Sequence, residues 1–483
     1  MRPNIVFILI DDMGWKDLVC YGSSFYETPN IDRLAREGMR FTDAYAACPV
    51  CSPTRASILT GKYPATVGIT DWIDVHGHIH PARGQLVDVP YLKQLPTHEH
   101  SLARALNEGG YQTWHVGKWH LGGDGHLPED HGFEINIGGA HQGSPGQGGY
   151  FSPWTIPPLA DADVPEGTYL TDYLTDQVLE LIRYKDERPF FLNLWYYTVH
   201  TPIQAKPEKI AKYEAKARAL GLDQVETFAE GEYFPCEHKK DQRVKRRLIQ
   251  SDPVYAAMIE SLDENLGRLF NLLDALGETD NTVVFFTSDN GGLATSERSP
   301  TCNAPLAEGK GWMYEGGTRE PLLVRWPGQV AASSTCPVPV TSPDFYPTIL
   351  ELAGLDPIPS AELRRSASSA EPSKPAQHCD GTSIAPLLRG AESIEREAIF
   401  WHYPHYGNQG GTPGSSVRSG DYKLIEFFED GRLELYNLRD DIGEERNLAE
   451  QMPQIRDRLH GLLREWRETV EAKIPQPNPD WQG

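Results

Sequence analysis

The 483-residue sequence has few cysteines, no long hydrophobic run and no excess of positive charge. Its seven cysteines are odd in number and widely scattered, which is not the pattern of a disulfide framework. The apolar run at residues 5–10 is far too short to span a bilayer, so no membrane partner is expected. The formal net charge of −23 disfavours nucleic acid as a partner, and the one basic run, at residues 238–247, is expected to be a solvated helix face or a loop. An anionic substrate would therefore have to be attracted by a local positive pocket.

A secretory leader is also missing from the start of the sequence. Residues 1–12 do not contain a basic region, an apolar region and a small-residue cleavage site in the required order. We therefore predict a cytoplasmic location; the alternative is a periplasmic or secreted protein from which a leader was removed. The length exceeds what one small core needs, so two domains, one of them large, are expected.

Apolar runs alternate with amphipathic stretches along most of the chain. The predicted buried strands are residues 4–10, 111–116, 190–196 and 282–287, and the predicted helices are residues 30–38, 101–107, 170–184 and 255–276. This alternation predicts an α/β domain with a mostly parallel sheet, which we place at residues 1–389. A stretch rich in Pro, Ser and Ala, residues 356–380, predicts a flexible loop or linker within it.

The pattern changes after that stretch. Short strands at residues 398–402, 422–427 and 432–436 are separated by turns, and a helix with one apolar face follows at residues 453–473. We therefore predict a small C-terminal α+β subdomain, residues 390–483, in which a helix packs on an antiparallel sheet.

Polar side chains follow each of the four predicted strands of the large domain. They are Asp11 and Asp12, Lys118 and His120, His200, and Asp289 and Asn290. Each group taken alone is compatible with an ordinary turn or cap. Because ligands bind beyond the carboxyl ends of parallel strands, we expect these groups to converge on one crevice. Carboxylate and amide oxygens favour Ca²⁺ or Mg²⁺ over zinc, and three neighbouring carboxylates would repel each other without a cation.

A cysteine lies at the start of another predicted helix, in the sequence Cys51-Ser52-Pro53-Thr54-Arg55. Proline suits a first helical turn, and the unpaired N–H groups of a helix N-terminus attract anions. The alternative is a buried structural thiol. A redox or zinc role for Cys48 and Cys51 would need a thioredoxin-like context or a second C-x-x-C pair, and neither is present.

These motifs, in this order, resemble those of type I sulfatases, a family of the alkaline phosphatase superfamily. The resemblance also covers Gly117 to Gly122, the run His200-Thr201-Pro202, and Lys310 before Glu315. It extends from residue 4 to about 350, followed by a family-like small domain, and is strongest to bacterial arylsulfatase-like carbohydrate sulfatases. The implied fold is a large, mostly parallel sheet sandwiched by helices. The implied activity is hydrolysis of sulfate monoesters, with Cys51 oxidised to formylglycine by a maturation enzyme.

The resemblance also implies a role for each residue. The metal ligands would be Asp11, Asp12, Asp289, Asn290 and an oxygen of the modified Cys51. Arg55 and Lys118 would orient and stabilise the hydrated formylglycine, with Asp289 as base for its attack on sulfur. His120 would act on its second hydroxyl, and His200 with Lys310 would flank the leaving ester oxygen. The metal is expected to be Ca²⁺, with Mg²⁺ as the alternative.

The substrate is predicted to be a sulfated saccharide cleaved from its end, or another small sulfate ester. Three loop-like segments suggest sugar contacts at the rim of the site, because rings stack on sugars and arginine pairs with anions. They are residues 71–100, residues 138–154 with Gln142, and residues 401–406 with Arg418. The candidate substrate-binding residues are His78, His141, Trp154, His402, His405 and Arg418. A zinc site in the His76-His78-His80 segment is less favoured than a polar loop. A phosphate or phosphonate monoester hydrolase, a non-catalytic sulfated-glycan binding protein and a redox module stay open as alternatives, as does the oligomeric state.

Overall fold

The computed structural model describes residues 2–74, 84–236, 239–356 and 378–481. The strands in these ranges are β1 (Asn4–Ile10), β2 (Met39–Tyr45), β3 (Leu86–Val87), β4 (Gln112–Gly117), β5 (Ile135–Ile137), β6 (Phe190–Trp195), β7 (Phe228–Tyr233), β8 (Arg243–Arg247), β9 (Thr282–Ser288), β10 (Arg319–Arg325), β11 (Ser334–Cys336), β12 (Val340–Thr341), β13 (Ile399–Tyr403), β14 (Gly414–Ser419), β15 (Tyr422–Phe427), β16 (Leu433–Asn437) and β17 (Gln476–Pro477). The α-helices are α1 (Pro29–Glu37), α2 (Cys51–Thr60), α3 (Pro64–Val67), α4 (Leu102–Glu108), α5 (Leu170–Arg183), α6 (Pro207–Ala219), α7 (Pro253–Leu276), α8 (Glu315–Thr318), α9 (Phe345–Leu352), α10 (Ala385–Leu388) and α11 (Pro453–Thr469).

One large sheet organises most of the chain. Its strand order is β11-β2-β10-β9-β1-β6-β4-β5, with β12 also paired to β2. The pairs β9-β1, β1-β6, β6-β4 and β4-β5 are parallel, whereas β10 is antiparallel to both of its neighbours. The predicted α/β class with a mostly parallel sheet is therefore confirmed.

Strand β1 shows why this sheet is buried on both faces. Its seven residues are all buried, and successive side chains point to opposite faces. Ile5, Phe7 and Leu9 pack with helices α2, α4, α9 and α10, whereas Val6 and Ile8 pack with α1, α5, α6 and α7. The continuous apolar sequence of β1 thus matches a strand covered by helices on both sides.

A second, four-stranded sheet forms near the C-terminus, in the order β13-β14-β15-β16, with every pair antiparallel. One face packs through Trp401 and Tyr403 against Cys48 and Val50, next to the start of α2. The other face packs against α11, where the rings of Phe400 and Trp466 stack at 4.8 Å. The sheet therefore supports the loop that leads into Cys51, while the boundary between residues 389 and 390 stays a prediction.

Several elements differ from the sequence prediction. Strands β2, β10 and β14 were not predicted, because polar residues such as Arg319, Arg325 and Arg418 interrupt their apolar pattern. The basic run at residues 238–247 was expected to be a helix face or a loop, but it contains β8, paired with β7. The predicted linker lies mostly outside the described residues. Among the helices of the described part, none has both the length and the apolar character that crossing a membrane requires.

Candidate active site

The four groups predicted to converge do meet at one edge of the large sheet. The register pairs Ile10 with Ser288 and Gly117 with Trp195, so the residues that follow these strands lie side by side. The Asp289 amide donates to the Ile10 carbonyl (3.2 Å), and the Lys118 amide donates to the Trp195 carbonyl (2.7 Å). The parallel arrangement thus brings side chains together that are up to 278 residues apart in the sequence.

Helix α2 carries Cys51 to the same edge. The helix begins after Val50, which is extended, and ends at Gly61, whose φ of 69° suits a residue without a side chain. All ten of its residues are buried. The Ser52 hydroxyl bonds to the His120 carbonyl and accepts from the Ile73 amide, both at 3.0 Å. These bonds hold the first turn of α2 against the loop after β4.

Two buried lysines neutralise the paired aspartates. Lys118 Nζ lies 2.8 Å from both carboxylate oxygens of Asp11. Lys310 Nζ lies 2.7 and 2.8 Å from the two oxygens of Asp12. Burial alone would raise the pKa of Asp12, but the Lys310 ammonium, His200 and Lys118 outweigh burial and hold that pKa below its usual value.

Arg55 makes the third charge pair of this cluster. Its Nε and Nη2 donate to one Asp289 oxygen at 2.9 and 2.7 Å, and Nη1 donates to the Lys118 carbonyl at 3.0 Å. Nη2 also lies 3.5 Å from Asp11, and the guanidinium stacks over Trp195. One arginine on α2 therefore connects the ends of three strands.

The residues at this edge fit a divalent cation. Asn290 Nδ2 donates to Asp12 (2.9 Å), but Asn290 Oδ1 is buried and has no hydrogen-bond partner among the described residues. Burial raises the pKa of Asp11 well above its usual range, although the Lys118 ammonium opposes this, so a second cation would favour its ionised form. Ligand atoms of Asp11, Asp12 and His200 lie within 4.8 Å of one another. Carboxylate and amide oxygens are the donors that hard cations prefer.

His120 is the hydrogen-bond partner of the Cys51 thiol among the described side chains. Its Nδ1 lies 3.3 Å from Cys51 Sγ, and its Nε2 lies 2.8 Å from the Ile73 carbonyl. A carbonyl only accepts, so Nε2 carries the proton and the Nδ1 lone pair faces residue 51. Burial, assisted by Lys118, holds the pKa of His120 well below its usual value, and burial raises the pKa of Cys51. The imidazole is thus a neutral proton acceptor.

His200 approaches the site from the loop after β6. Its Nδ1 donates to the Thr201 carbonyl (2.7 Å), and its Nε2 lies 3.7 Å from Asp12. Burial, followed by the charge of Lys310, lowers the pKa of His200 to about 4. The Tyr150 hydroxyl donates to the His200 carbonyl at 2.9 Å and holds this loop in place. A bound anion would raise the His200 pKa and make it a proton donor.

The thiol, both histidines and Lys310 line a common cavity of about 440 Å³. This volume is within the range of small-molecule sites. The other lining side chains are polar or small, apart from the indole of Trp72 and the aliphatic side chain of Ile73. Those outside the motifs include Trp72, Asp74, Gln142, Gln147, Glu297 and Asn408. Apart from Gln142, these were not singled out from the sequence, because they come from separate loops and belong to no motif. The only signal was the general prediction that the segments around residues 71–100 and 138–154 form the rim.

The structure places most of the candidate substrate-binding residues elsewhere. His402 is buried in the small sheet, bonded to Ser415 Oγ (2.7 Å) and the Lys473 carbonyl (3.0 Å). His405 is buried and bonded to Thr70 Oγ1 at 2.8 Å. Neither lines the cavity. Their assignment to substrate is corrected, because the ring nitrogens of His402 bond within the C-terminal subdomain and those of His405 bond to Thr70 and Asp88 of the large domain.

The assignment of Arg418 and Trp154 to substrate is also corrected, because both side chains are buried and neither lines the cavity. Arg418 pairs with Asp43 at 2.7 Å in a buried cluster between the two sheets. Trp154 is 3% exposed and belongs to the core. His141 is half-buried beside Gly123, while its neighbour Gln142 lines the cavity. His78 and the His-x-His-x-His segment lie outside the described residues.

A thiol, carboxylates, lysines and histidines at the carboxyl ends of the parallel strands of an α/β domain are the groups that hydrolysis of an anionic ester requires. A family model described as sulfatase matches residues 3–355, and a model of the N-sulphoglucosamine sulphohydrolase C-terminal region matches residues 308–469. The chain belongs to the sulfatase family, as its motifs predicted, and it is a sulfuric ester hydrolase. Enzymes of this family generally use a metal ion and a formylglycine residue.

Similar proteins support this assignment. A sulfatase of Formosa agariphila is 32% identical and is matched over 99% of this chain and 93% of its own length. The N-acetylgalactosamine-6-sulfatase of Rattus norvegicus is 33% identical over 87% of this chain and 71% of its own. The crystal structure of Ps i-CgsB superposes with a TM-score of 0.74 at 28% identity, covering 100% of this chain and 95% of that one. That protein has also been solved in complex with k-i-k-neocarrahexaose.

Proposed function

We propose that this enzyme removes sulfate from the terminal sugar of a sulfated saccharide, with Cys51 matured to formylglycine and with Ca²⁺, or alternatively Mg²⁺, at the acidic edge. The main observation in support of this proposal is the 440 Å³ cavity, whose lining combines Cys51 and Lys310 with hydrogen-bonding side chains such as Gln142 and Gln147. The size of the cavity suits one sugar residue, and its lining side chains can donate hydrogen bonds to sugar hydroxyls and accept hydrogen bonds from them. Relatives that act on sulfated sugars, such as the rat N-acetylgalactosamine-6-sulfatase, support the same substrate class.

A divalent cation and a formylglycine at position 51 would supply two functions. Asp11, Asp12, Asp289 and Asn290 would hold the cation, which offsets the negative charge of the sulfate, and the formylglycine hydrate supplies a hydroxyl nucleophile at position 51. The ammonium groups of Lys118 and Lys310 now occupy the lone pairs of Asp11 and Asp12. Lys310 also lines the cavity and can pair with an oxygen of a bound sulfate while it contacts Asp12.

His120, Lys310 and His200 would each have a separate role in the proton transfers. His120 Nδ1 faces residue 51 with a free lone pair, so it takes a proton from a hydroxyl there. Lys310 stays protonated, because the Asp12 carboxylate outweighs burial and raises its pKa. Lys310 therefore stabilises charge on the departing ester oxygen, and His200, charged once the anionic ester is bound, donates the proton from Nε2. The residue assignments from the sequence agree with this geometry but stay predictions.

Sulfate release from a panel of sugars tests the proposal. The panel contains the 6-sulfates of N-acetylgalactosamine, N-acetylglucosamine and galactose, each compared with 4-methylumbelliferyl sulfate and with an aryl phosphonate. Cys51→Ala is the matched control, because it removes the nucleophile precursor with a small change in volume. We expect the matured enzyme to hydrolyse at least one of the sugar sulfates and the Cys51→Ala variant to hydrolyse none of them. Turnover of aryl sulfate alone would refute the saccharide substrate, and faster turnover of the phosphonate would favour the phosphonate monoester hydrolase.

Mass spectrometry of the peptide that contains residue 51 establishes maturation before any of these rates is interpreted. Oxidation of Cys51 to formylglycine replaces the thiol by an aldehyde, and the mass of the peptide falls accordingly. Co-expression with a formylglycine-generating enzyme should raise the converted fraction and the specific activity in proportion. Full activity of a preparation in which residue 51 is still a thiol would contradict the proposed nucleophile.

A further inference from the structure

A second groove adjoins the active-site cavity. It has a volume of about 1060 Å³, and its walls come from the β7–β8 hairpin and the loop at residues 295–299. Glu297 lines both the groove and the cavity. Lys239, also in the groove, donates to Ser296 Oγ and to the carbonyl of Asn408, both at 2.9 Å, and Asn408 lines the cavity. The two spaces are therefore separated by one shared wall.

The alternation of β8 explains which side chains face this groove. Arg243 is paired with Tyr233, and Lys245 is paired with Glu230, so these four side chains share one face of the hairpin. Val244 points to the opposite face and packs with Trp312. The apolar face of the hairpin thus packs against Trp312, and the opposite face presents a row of polar and aromatic side chains to the groove.

The loop that forms the shared wall has an unusual backbone. Glu297, Arg298 and Ser299 have φ values of 50°, 76° and 45°, three consecutive non-glycine residues in the left-handed region. The Ser299 hydroxyl donates to the Lys245 carbonyl (2.7 Å), and Arg247 donates to the Ser299 carbonyl. Such a conformation costs free energy at each residue and persists where surrounding contacts impose it, most often at functional sites. Here it directs Glu297 and Arg298 into the groove and its boundary.

The chemistry of the groove suits a saccharide chain. Tyr233 is 54% exposed, and the Arg243 guanidinium lies 4.5 Å from its ring centre. The lining of the groove contains four cationic and four acidic side chains, namely Lys239, Arg243, Lys245 and Arg298, and Glu226, Glu230, Asp241 and Glu297. This balance gives no net attraction for a polyanion such as nucleic acid. It offers both donors and acceptors to hydroxyl groups, with cations available for individual sulfates.

We propose that this groove binds the sugars next to the terminal residue whose sulfate is cleaved, so that the enzyme acts on oligosaccharides and not mainly on free monosaccharides. The inference rests on the proposed function, because the terminal sugar must occupy the cavity. The shared wall at Glu297 places the neighbouring sugars directly in the groove. Tyr233 provides a surface for a sugar ring, and Lys245 and Arg298 pair with its anionic or hydroxyl groups.

Chain-length dependence of kcat/KM tests this inference. The substrates are the panel sugar that is hydrolysed fastest, and a trisaccharide and a pentasaccharide that end in it. We expect kcat/KM to rise with length in the wild type, and Tyr233→Ala and Lys245→Ala each to remove roughly three- to tenfold of that gain. Both variants should hydrolyse the monosaccharide at the wild-type rate, because neither side chain lines the cavity.

Tyr184→Ala is the matched control, since Tyr184 is 81% exposed and follows α5 at the opposite edge of the sheet. It should keep the full gain with length. Equal kcat/KM for all lengths, or an unchanged gain in both groove variants with unchanged unfolding temperatures, would overturn the inference. Failure to hydrolyse any sugar sulfate would instead be a failure of the proposed function. A loss of activity on the monosaccharide in the groove variants would also overturn the separation of groove and cavity.

Discussion

Replacing Arg55 by methionine tests whether the charge cluster is built as the structure indicates. Arg55 is fully buried and pairs with Asp289 at 2.7 Å and with Asp11 at 3.5 Å. Its removal leaves three buried carboxylates with two buried ammonium groups. Methionine replaces the unbranched apolar part of the arginine side chain and carries no charge and no hydrogen-bond donor, so the variant measures mainly the loss of the charge pair.

The magnitude follows from these distances. A unit charge pair at about 3 Å is worth roughly 5 kcal/mol at an effective dielectric constant of 20. Removing one member of a buried pair typically costs about 3–5 kcal/mol. An unfolding entropy of about 2.1 cal/mol/K per residue gives roughly 1 kcal/mol/K for this length if the chain unfolds as one unit. We therefore expect the midpoint of thermal unfolding to fall by about 3–5 °C, as measured by scanning calorimetry.

Arg325→Met is the matched control. Arg325 is also buried, but it lies at the opposite edge of the sheet and makes a single ion pair, at 3.0 Å, with the half-exposed Glu37. Two of its nitrogens have no partner among the described residues, and burial lowers its pKa. Replacement should therefore be close to neutral or stabilising.

Activity separates the two variants further. Displacement of Asp289 and Lys118 in Arg55→Met should lower kcat/KM by about 10²-fold or more, whereas Arg325→Met should keep wild-type activity. Equal losses of stability in the two variants would refute the reasoning, because it would mean that a buried arginine costs the same whether its partners are buried or exposed. Full activity of Arg55→Met would refute the role of the cluster in positioning the site.

Three other predictions concern the nucleophile, the metal and the contact between the sheets. Cys51→Ala should abolish sulfate release while the unfolding temperature changes little; retained turnover would eliminate Cys51 as nucleophile precursor. Chelation should abolish activity and lower the unfolding temperature, and adding Ca²⁺ should restore both. The Ca²⁺ affinity measured by calorimetry should fall from pH 7 to pH 5, because the pKa of Asp11 is raised and a proton then competes with the ion. An affinity that does not depend on pH would contradict this. Burial raises the pKa of Glu444 to about 7, although Lys423 opposes this. The contribution of Glu444 to the free energy of unfolding is therefore complete below about pH 4.5 and is lost as the pH rises to 7, and the loss amounts to roughly 3 kcal/mol. Glu444→Gln should flatten the dependence of unfolding free energy on pH across that window; an unchanged slope would show that another group causes it.

The local sequence was sufficient for the elements with an uninterrupted pattern. Strand β1 was predicted because Asn4–Ile10 is almost wholly apolar, and α7 because its apolar face continues over 24 residues. Strand β10 was missed because Arg319, Glu320 and Arg325 interrupt it; the tertiary structure buries these charges. A pattern of hydrophobicity cannot anticipate a buried charge whose partner lies far away in the sequence.

The site shows the same division. The motif residues were predicted because their chemistry is carried by short spacings and by their position at strand ends. His402, His405 and Arg418 were assigned to substrate because histidine and arginine near aromatic residues also characterise sugar sites. Their actual partners, such as Ser415 and Asp43, became visible only when the small sheet was placed against the large domain.

The amino-acid sequence by itself determined the class of fold and the enzyme family, and it predicted the nucleophile precursor and the acidic metal ligands, because each depends on residue type and local spacing. The tertiary structure decided which loops line the cavity, which nitrogen of His120 faces residue 51, and that a groove adjoins the cavity at Glu297. These features arise where segments distant in the sequence meet, and their geometry depends on packing and hydrogen bonds that no local pattern encodes.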